Sequence, residues 1–312
     1  MKILYPDIEP YATHQLDVGQ GHILTVEECG NANGIPIVFL HGGPGSNCKS
    51  YHRSFFDPAK YRIILFDQRG AGRSTPAGKL QFNTTEHLLA DIELIRETLN
   101  IKKWVVFGGS WGAALGLLYA QQHSDKVLGL ILRSIFLARK CDIDWFHMDD
   151  GVNKYFPKQW QDFFDFAPGD WNQLLIAYHT ALTGGDINAK NKAALAWATW
   201  GGCVVSSGTF ADPTEVSEKL LNLVSIECHY LYNNYFIKEN QLVLDINKVK
   251  NIPTILIHGQ KDLVCLPESS RLLKQHLPSA KLILVPSSGH LSDDPAMISA
   301  LVESTDEMKN LF

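Results

Sequence analysis

The sequence predicts an α/β protein, a mostly parallel twisted sheet with helices on both faces and a helical cap insertion. Three observations predict it. Short apolar runs of strand character alternate with helical patterns, an order that yields parallel strands with helices packed on both sides. A Gly-x-Ser-x-Gly turn, Gly108 to Gly112, joins one such run directly to a helix-forming segment. Strand character then disappears from residue 136 to about 235 and returns at Ile252. The expected division is therefore a core built from residues 1–135 and 240–312, with a cap over 136–239.

Composition narrows the function classes. The chain has 312 residues, 45% of them hydrophobic, enough for a sizeable core. A formal net charge of -5 gives no broad cationic surface, so neither nucleic acid nor an anionic membrane is an expected partner. No apolar run approaches the length that crosses a bilayer. The opening residues Met1 to Asp7 lack the continuous apolar region of a secretory signal, so a cytoplasmic protein is expected. Six cysteines (29, 48, 141, 203, 228, 265) form no CxxC pair, which argues against a zinc site or a disulfide framework. No metal or cofactor is expected, and oligomeric state is left open.

Taken in order, residues 14–29 alternate loosely around Gly19-Gln20-Gly21 and predict an antiparallel hairpin at a sheet edge. Residues 35–40 form an uninterrupted apolar strand that runs into His41-Gly42-Gly43-Pro44-Gly45, a loop whose amides can approach a ligand. A second buried strand, 62–66, ends in Asp67-Gln68-Arg69-Gly70-Ala71-Gly72-Arg73-Ser74. There the paired charges suit an Arg–carboxylate brace of the loop better than chemistry. Thr84 or Thr85 caps a helix whose apolar residues Leu88, Leu89, Ile92, Ile95 and Leu99 recur at helical spacing.

The β-branched run Val105-Val106-Phe107 then enters Gly108-Gly109-Ser110-Trp111-Gly112, the pattern of a nucleophile elbow. A strand reversing sharply into a helix strains the central residue and leaves no room for side chains two positions either side. The turn lifts the Ser110 hydroxyl clear of the sheet, near the positive end of the following helix. In the α/β-hydrolase arrangement a Gly-rich loop supplies one oxyanion donor and the residue after the nucleophile supplies the other. Here those are the amides of Gly43 and Trp111. A small-residue helix (113–120) and a strand (127–132) follow. The aromatic-rich stretch beyond residue 136 reads as a helical lid with an apolar underside, most of its rings belonging to the lid's own core.

Two late strands, near 252–259 and 281–286, are followed respectively by Asp262 and by Gly289-His290. The chain order Ser110, Asp262, His290 is the α/β-hydrolase order, and a parallel sheet brings all three to its carboxyl edge. Asp293 and Asp294 follow His290 too closely to reach it from a separate loop.

With these residues assembled, the chain resembles the proline iminopeptidases, serine peptidases of the α/β-hydrolase superfamily. Similarity runs over nearly the whole length and rests most selectively on His41-Gly42-Gly43-Pro44-Gly45 with Gly108-Gly109-Ser110-Trp111-Gly112. The resemblance implies an α/β-hydrolase fold and release of an N-terminal proline from peptides through an acyl-enzyme, without metal or organic cofactor. It also implies that Glu227, in Ile226-Glu227-Cys228-His229-Tyr230-Leu231, holds the substrate's free amine. Phe136 and Phe146 match positions of the proline pocket and Cys265 a cysteine near it, while Leu231, also assigned to substrate binding, stands where the family has Phe.

One departure stands out. The family places a second amine-binding glutamate after the second tryptophan of the cap, where this chain has Trp200-Gly201-Gly202. Preference for a free N-terminal proline is therefore expected to be altered, unless Asp149 or Asp150 substitutes. The partner called for is a small peptide or another small acyl substrate. An esterase, amidase or carbon–carbon bond hydrolase with the same three residues, and a non-catalytic ligand-binding member of the fold, are the alternatives the sequence leaves open.

Overall fold

The computed structural model describes all residues, Met1–Phe312. Eight strands form one sheet: β1 (Ala12–Asp17), β2 (Ile23–Gly30), β3 (Ile35–Leu40), β4 (Tyr61–Phe66), β5 (Trp104–Gly109), β6 (Val127–Arg133), β7 (Thr254–Gly259) and β8 (Lys281–Val285). Their spatial order is β1-β2-β4-β3-β5-β6-β7-β8. The β1–β2 and β2–β4 pairs are antiparallel, and every later pair is parallel.

Helix α1 (Thr85–Thr98) precedes β5, and α2 (Trp111–Gln122) leaves its end at once. Thr84 is the N-cap of α1, its hydroxyl accepting from the His87 amide. Between β6 and β7 the chain runs through α3 (Lys140–His147), α4 (Pro157–Phe164), α5 (Trp171–Thr183), α6 (Ile187–Val205), α7 (Glu218–Tyr232) and the short α8 (Gln241–Leu244). Then α9 (Pro267–His276) links β7 to β8, and α10 (Pro295–Lys309) closes the chain. The strand residues alternate between two cores, because successive side chains of a strand point to opposite faces. Val38, Leu40, Ile64, Phe66 and Val106 join one core, while Ile37, Phe39, Ile63, Leu65 and Phe107 join the other.

The first of these cores continues upward into the helices that follow β6, through Phe163, Tyr178, Trp197 and Trp200. Phe163 stacks on Tyr178 at 4.8 Å between centroids, and Phe166 stacks on the same ring at 4.2 Å. Each such buried aromatic contributes about 1.5–3 kcal/mol by leaving water, so this layer is held to the sheet by apolar contact. The Asp67–Ser74 loop is braced by charge. Arg69 forks onto Asp91 at 2.7 and 2.8 Å, and Arg73 donates to Asp67 at 3.0 Å. No helix is long and apolar enough to cross a membrane.

Candidate active site

Ser110 sits between β5 and α2 with φ 57° and ψ −122°, a sparsely populated conformation that costs about 1–3 kcal/mol. Its surroundings fix it there. The Ser110 amide donates to the Arg133 carbonyl at 3.0 Å, and its carbonyl accepts from Ala113 and Ala114. A Cβ on Gly108 would stand 2.1 Å from the Gly112 carbonyl oxygen, and one on Gly112 would stand 2.0 Å from that of Leu40. Both positions must lack a side chain for strand and helix to approach so closely.

The loops after β7 and β8 meet beside this turn. A Cβ on Gly259 would lie 2.3 Å from the Gly289 carbonyl oxygen, so only glycine lets the two loops touch. Across that contact His290 Nδ1 lies 2.9 and 3.0 Å from the two carboxylate oxygens of Asp262. The carboxylate also accepts the Val264 and Cys265 amides at 2.9 and 3.0 Å. His258 Nε2 approaches it at 3.4 Å. Burial on its own raises the Asp262 pKa, but His290 and His258 overcome that and hold it well below the usual carboxylate range. Half-buried Arg133 donates to the His290 carbonyl and, at 2.8 Å, to the Ser134 hydroxyl, tying the histidine loop to the end of β6.

On the other side of Ser110 runs the loop after β3. A Cβ on Gly42 would be 3.9 Å from the Ser110 hydroxyl oxygen. The Gly43 amide donates to no group of the protein, and the Trp111 amide is the first of the four that an α-helix leaves without an internal acceptor. Buried His41 sets the loop. Its Nε2 accepts the Gln68 amide at 3.0 Å, so Nδ1 carries the proton and donates to the Gly42 carbonyl at 2.9 Å. Burial lowers its pKa and keeps the ring neutral.

These groups open onto a cavity of about 460 Å³ roofed by the helices after β6, a size suited to a small organic substrate. Ser110, His290 and Gly43 line its floor, with Phe136, Phe146, Glu227, Leu231 and Cys265 around it. Asp262 lies behind His290. The Trp111 ring turns inward onto Tyr230 and Tyr235, 5.2 and 5.6 Å away. No hydrogen bond joins Ser110 to His290. Burial drives the Cys265 thiol well above its ordinary value, Asp262 and Asp142 add to the rise, and Arg133 and Ser110 oppose it.

Glu227 makes no ion pair. Burial pushes its pKa up to about 7 against the hydrogen bond it accepts from the Trp197 indole at 3.0 Å. One turn of α6 beyond Trp197, Gly201 lines the same cavity, and a Cβ there would meet nothing within 4 Å. Asp149 and Asp150 are both exposed and neither lines the cavity, so the proposed substitution of Asp149 or Asp150 for the absent carboxylate is corrected: neither side chain faces the substrate space. Sequence reasoning missed Trp197 as the partner of Glu227, His258 behind Asp262, Arg133 behind His290, and Asp142. The last lines the cavity while paired with Arg139 at 2.7 Å. The one available signal was position, since Arg133 and His258 each stand at or near the end of a core strand.

Comparison with known proteins gives a consistent result. A family model described as the alpha/beta hydrolase fold matches residues 35–292. The chain is 43% identical to a probable proline iminopeptidase of Leptolyngbya boryana, over 98% of this chain and 97% of that one. It is 42% identical to a proline iminopeptidase of Xylella fastidiosa strain 9a5c, over 98% and 99%. Among solved structures, a proline iminopeptidase-related protein from Thermus thermophilus superposes with a TM-score of 0.60 at 20% identity, over 96% of this chain and 99% of that one. At that identity the likeness is one of fold.

Proposed function

The chain belongs to the proline iminopeptidases, serine aminopeptidases with the α/β-hydrolase fold, and from that premise we propose that Ser110, His290 and Asp262 carry its reaction. His290 Nε2 removes the proton as Ser110 Oγ attacks the carbonyl carbon of the N-terminal residue. The tetrahedral oxyanion faces the amides of Gly43 and Trp111, each worth about 10²–10³ in kcat. Collapse breaks the carbon–nitrogen bond, His290 returns its proton to the leaving amine, and water then hydrolyses the Ser110 ester by the same proton path. Asp262 holds the Nδ1–H face of the imidazole and stabilises its charged form.

In this reading residues 136–239 act as the cap over a core of 1–135 and 240–312, and the protein works in the cytoplasm on small peptides. Phe136, Phe146, Leu231 and Cys265 form the pocket for the N-terminal side chain. The observation that carries the reading is Glu227, a carboxylate with no cationic partner in the protein, opening onto the cavity that Ser110 and His290 share. A substrate ammonium is the group that such a carboxylate lacks. The test is a panel of proline and alanine arylamides against simple acyl esters. Preferred cleavage of the proline arylamide supports the aminopeptidase reading, and ester-only turnover overturns it.

Gly201 favours a second reading, a hydrolase of less charged acyl substrates with the same three residues. The space where the family carries its other glutamate is open here, so the ammonium has a single anchor.

A further inference from the structure

A second cavity, of about 570 Å³, adjoins the first and shares Ser46, Asn47, Lys49 and Leu223 with it. Its character is different. The first is lined mainly by apolar side chains, whereas only 4 of the 17 residues around the second are hydrophobic. Although the whole chain carries a net charge of -5, this lining sets Lys49, Arg53, Arg73 and Lys219 against Glu27 and Glu218.

Ion pairing satisfies the two arginines but not the two lysines. Arg53 pairs with Glu27 at 2.9 Å and with Glu9 at 3.7 Å, and Arg73 pairs with Glu27 and with Asp67. Lys49 and Lys219 make no ion pair, and neither does Glu218. Arg53 is 7% exposed and its guanidinium is already engaged, donating to Glu27 and to the Ile8 carbonyl. The two exposed lysines of the lining are therefore the cations left to meet an anion.

Resting on the peptidase reading above, we propose that this cavity binds the C-terminal carboxylate of a short peptide whose amine is held at Glu227. The spacing fits. Lys219 precedes Glu227 by eight residues on α7, about 12 Å along a helix axis. An extended peptide covers roughly 3.3–3.6 Å per residue, so two or three residues with a lysine side chain reaching inward span the distance. The leaving peptide thus occupies the polar cavity while the N-terminal residue occupies the apolar one.

The test compares kcat/KM for a proline-initiated tripeptide with a free carboxylate and for its C-terminal amide. Wild type is expected to favour the acid by about tenfold, the scale of one hydrogen bond to a charged group. In Lys49→Ala/Lys219→Ala the acid-to-amide ratio falls to near one, in Lys219→Glu it inverts, and in Glu218→Gln it rises. Because each ratio is taken within one variant, a general loss of folded protein leaves it unmoved. Equal turnover of acid and amide by wild type, or a preference that survives the double variant, overturns the proposal. Failure to cleave proline arylamide at all overturns the peptidase reading itself.

Discussion

The Trp111 indole N–H donates to the Gln68 side-chain carbonyl at 3.1 Å, and the amide end of that glutamine donates to the His41 carbonyl at 2.8 Å. One side chain from the loop after β4 therefore fastens the helix that starts after Ser110, the proposed nucleophile, to the loop that carries the Gly43 amide. Gln68 touches no reacting atom. In the proposed reaction it is a positioning residue, setting the separation of the two amides assigned to the oxyanion.

Gln68→Leu keeps the volume and removes both bonds. The expected result is a fall in kcat of about tenfold with KM changed less than about twofold, since the donors act on the transition state. Steady-state kinetics on proline arylamide check it, and a loss confined to KM contradicts it.

Ser110→Ala removes the proposed nucleophile at a position whose conformation is fixed by backbone bonds. Labelling by a fluorophosphonate probe is expected to vanish and kcat to fall by about 10⁶-fold, while the circular dichroism of the folded chain is retained. Labelling of the alanine variant at an unchanged rate would place the nucleophile elsewhere.

Glu227 gives a pH signature. Because burial raises its pKa to about 7, the anchor is charged above that pH and neutral below it. The kcat/KM for an ammonium substrate is expected to lose an extra factor as pH falls through about 7, a limb absent for esters without an amine and absent in Glu227→Gln. The linkage to stability has the opposite sign. A carboxylate whose pKa rises from 4.5 to about 7 on folding binds its proton more tightly when folded, so stability declines as pH climbs across that window. Glu227→Gln should therefore raise Tm more at pH 8 than at pH 4.

Gly201→Glu restores a carboxylate where a Cβ meets nothing within 4 Å. Proline arylamide turnover relative to acyl esters is expected to rise about tenfold or more, the value of a hydrogen bond to a charged group. Removing a glycine from the interior of α6 adds about 0.5–1 kcal/mol, so Tm should not fall. An unchanged ratio in a well-folded variant would show that one anchor suffices.

Much of this architecture was legible because the parallel strands are buried on both faces and read as unbroken apolar runs. The elbow was legible because sterics permit only glycine two residues either side of the serine. What was not legible depends on contacts that cross the fold. The apolar stripe of α10, Met297, Ala300, Leu301 and Met308, is interrupted by polar residues. Its buried positions include Ser304, bonded to the Ala300 carbonyl at 2.7 Å, and Thr305, bonded to the Phe55 carbonyl at 2.7 Å. Hydroxyls satisfied in this way enter a core while looking solvent-facing in the sequence. Asp294, set aside as a rival acid, caps that helix by accepting the Ala296 amide. His258 is similarly silent, since its partners Ile135 and Ser270 arrive from either side of β7 in the chain. The bond from Trp197 to Glu227 joins two helices and has no local spacing to reveal it.

The β8 strand is one of the two edges of the sheet, paired on one side only and half-buried along most of its length. The imidazole depends on it, since His290 lies just beyond its end. Margins of a sheet fray at lower free energy than its centre, so mild urea should silence the enzyme while the interior tryptophans still report a native environment. Catalysis in this molecule is then a gauge of its frailest seam, and an inhibitor that pins the histidine loop would protect activity well before it moved the global melting point.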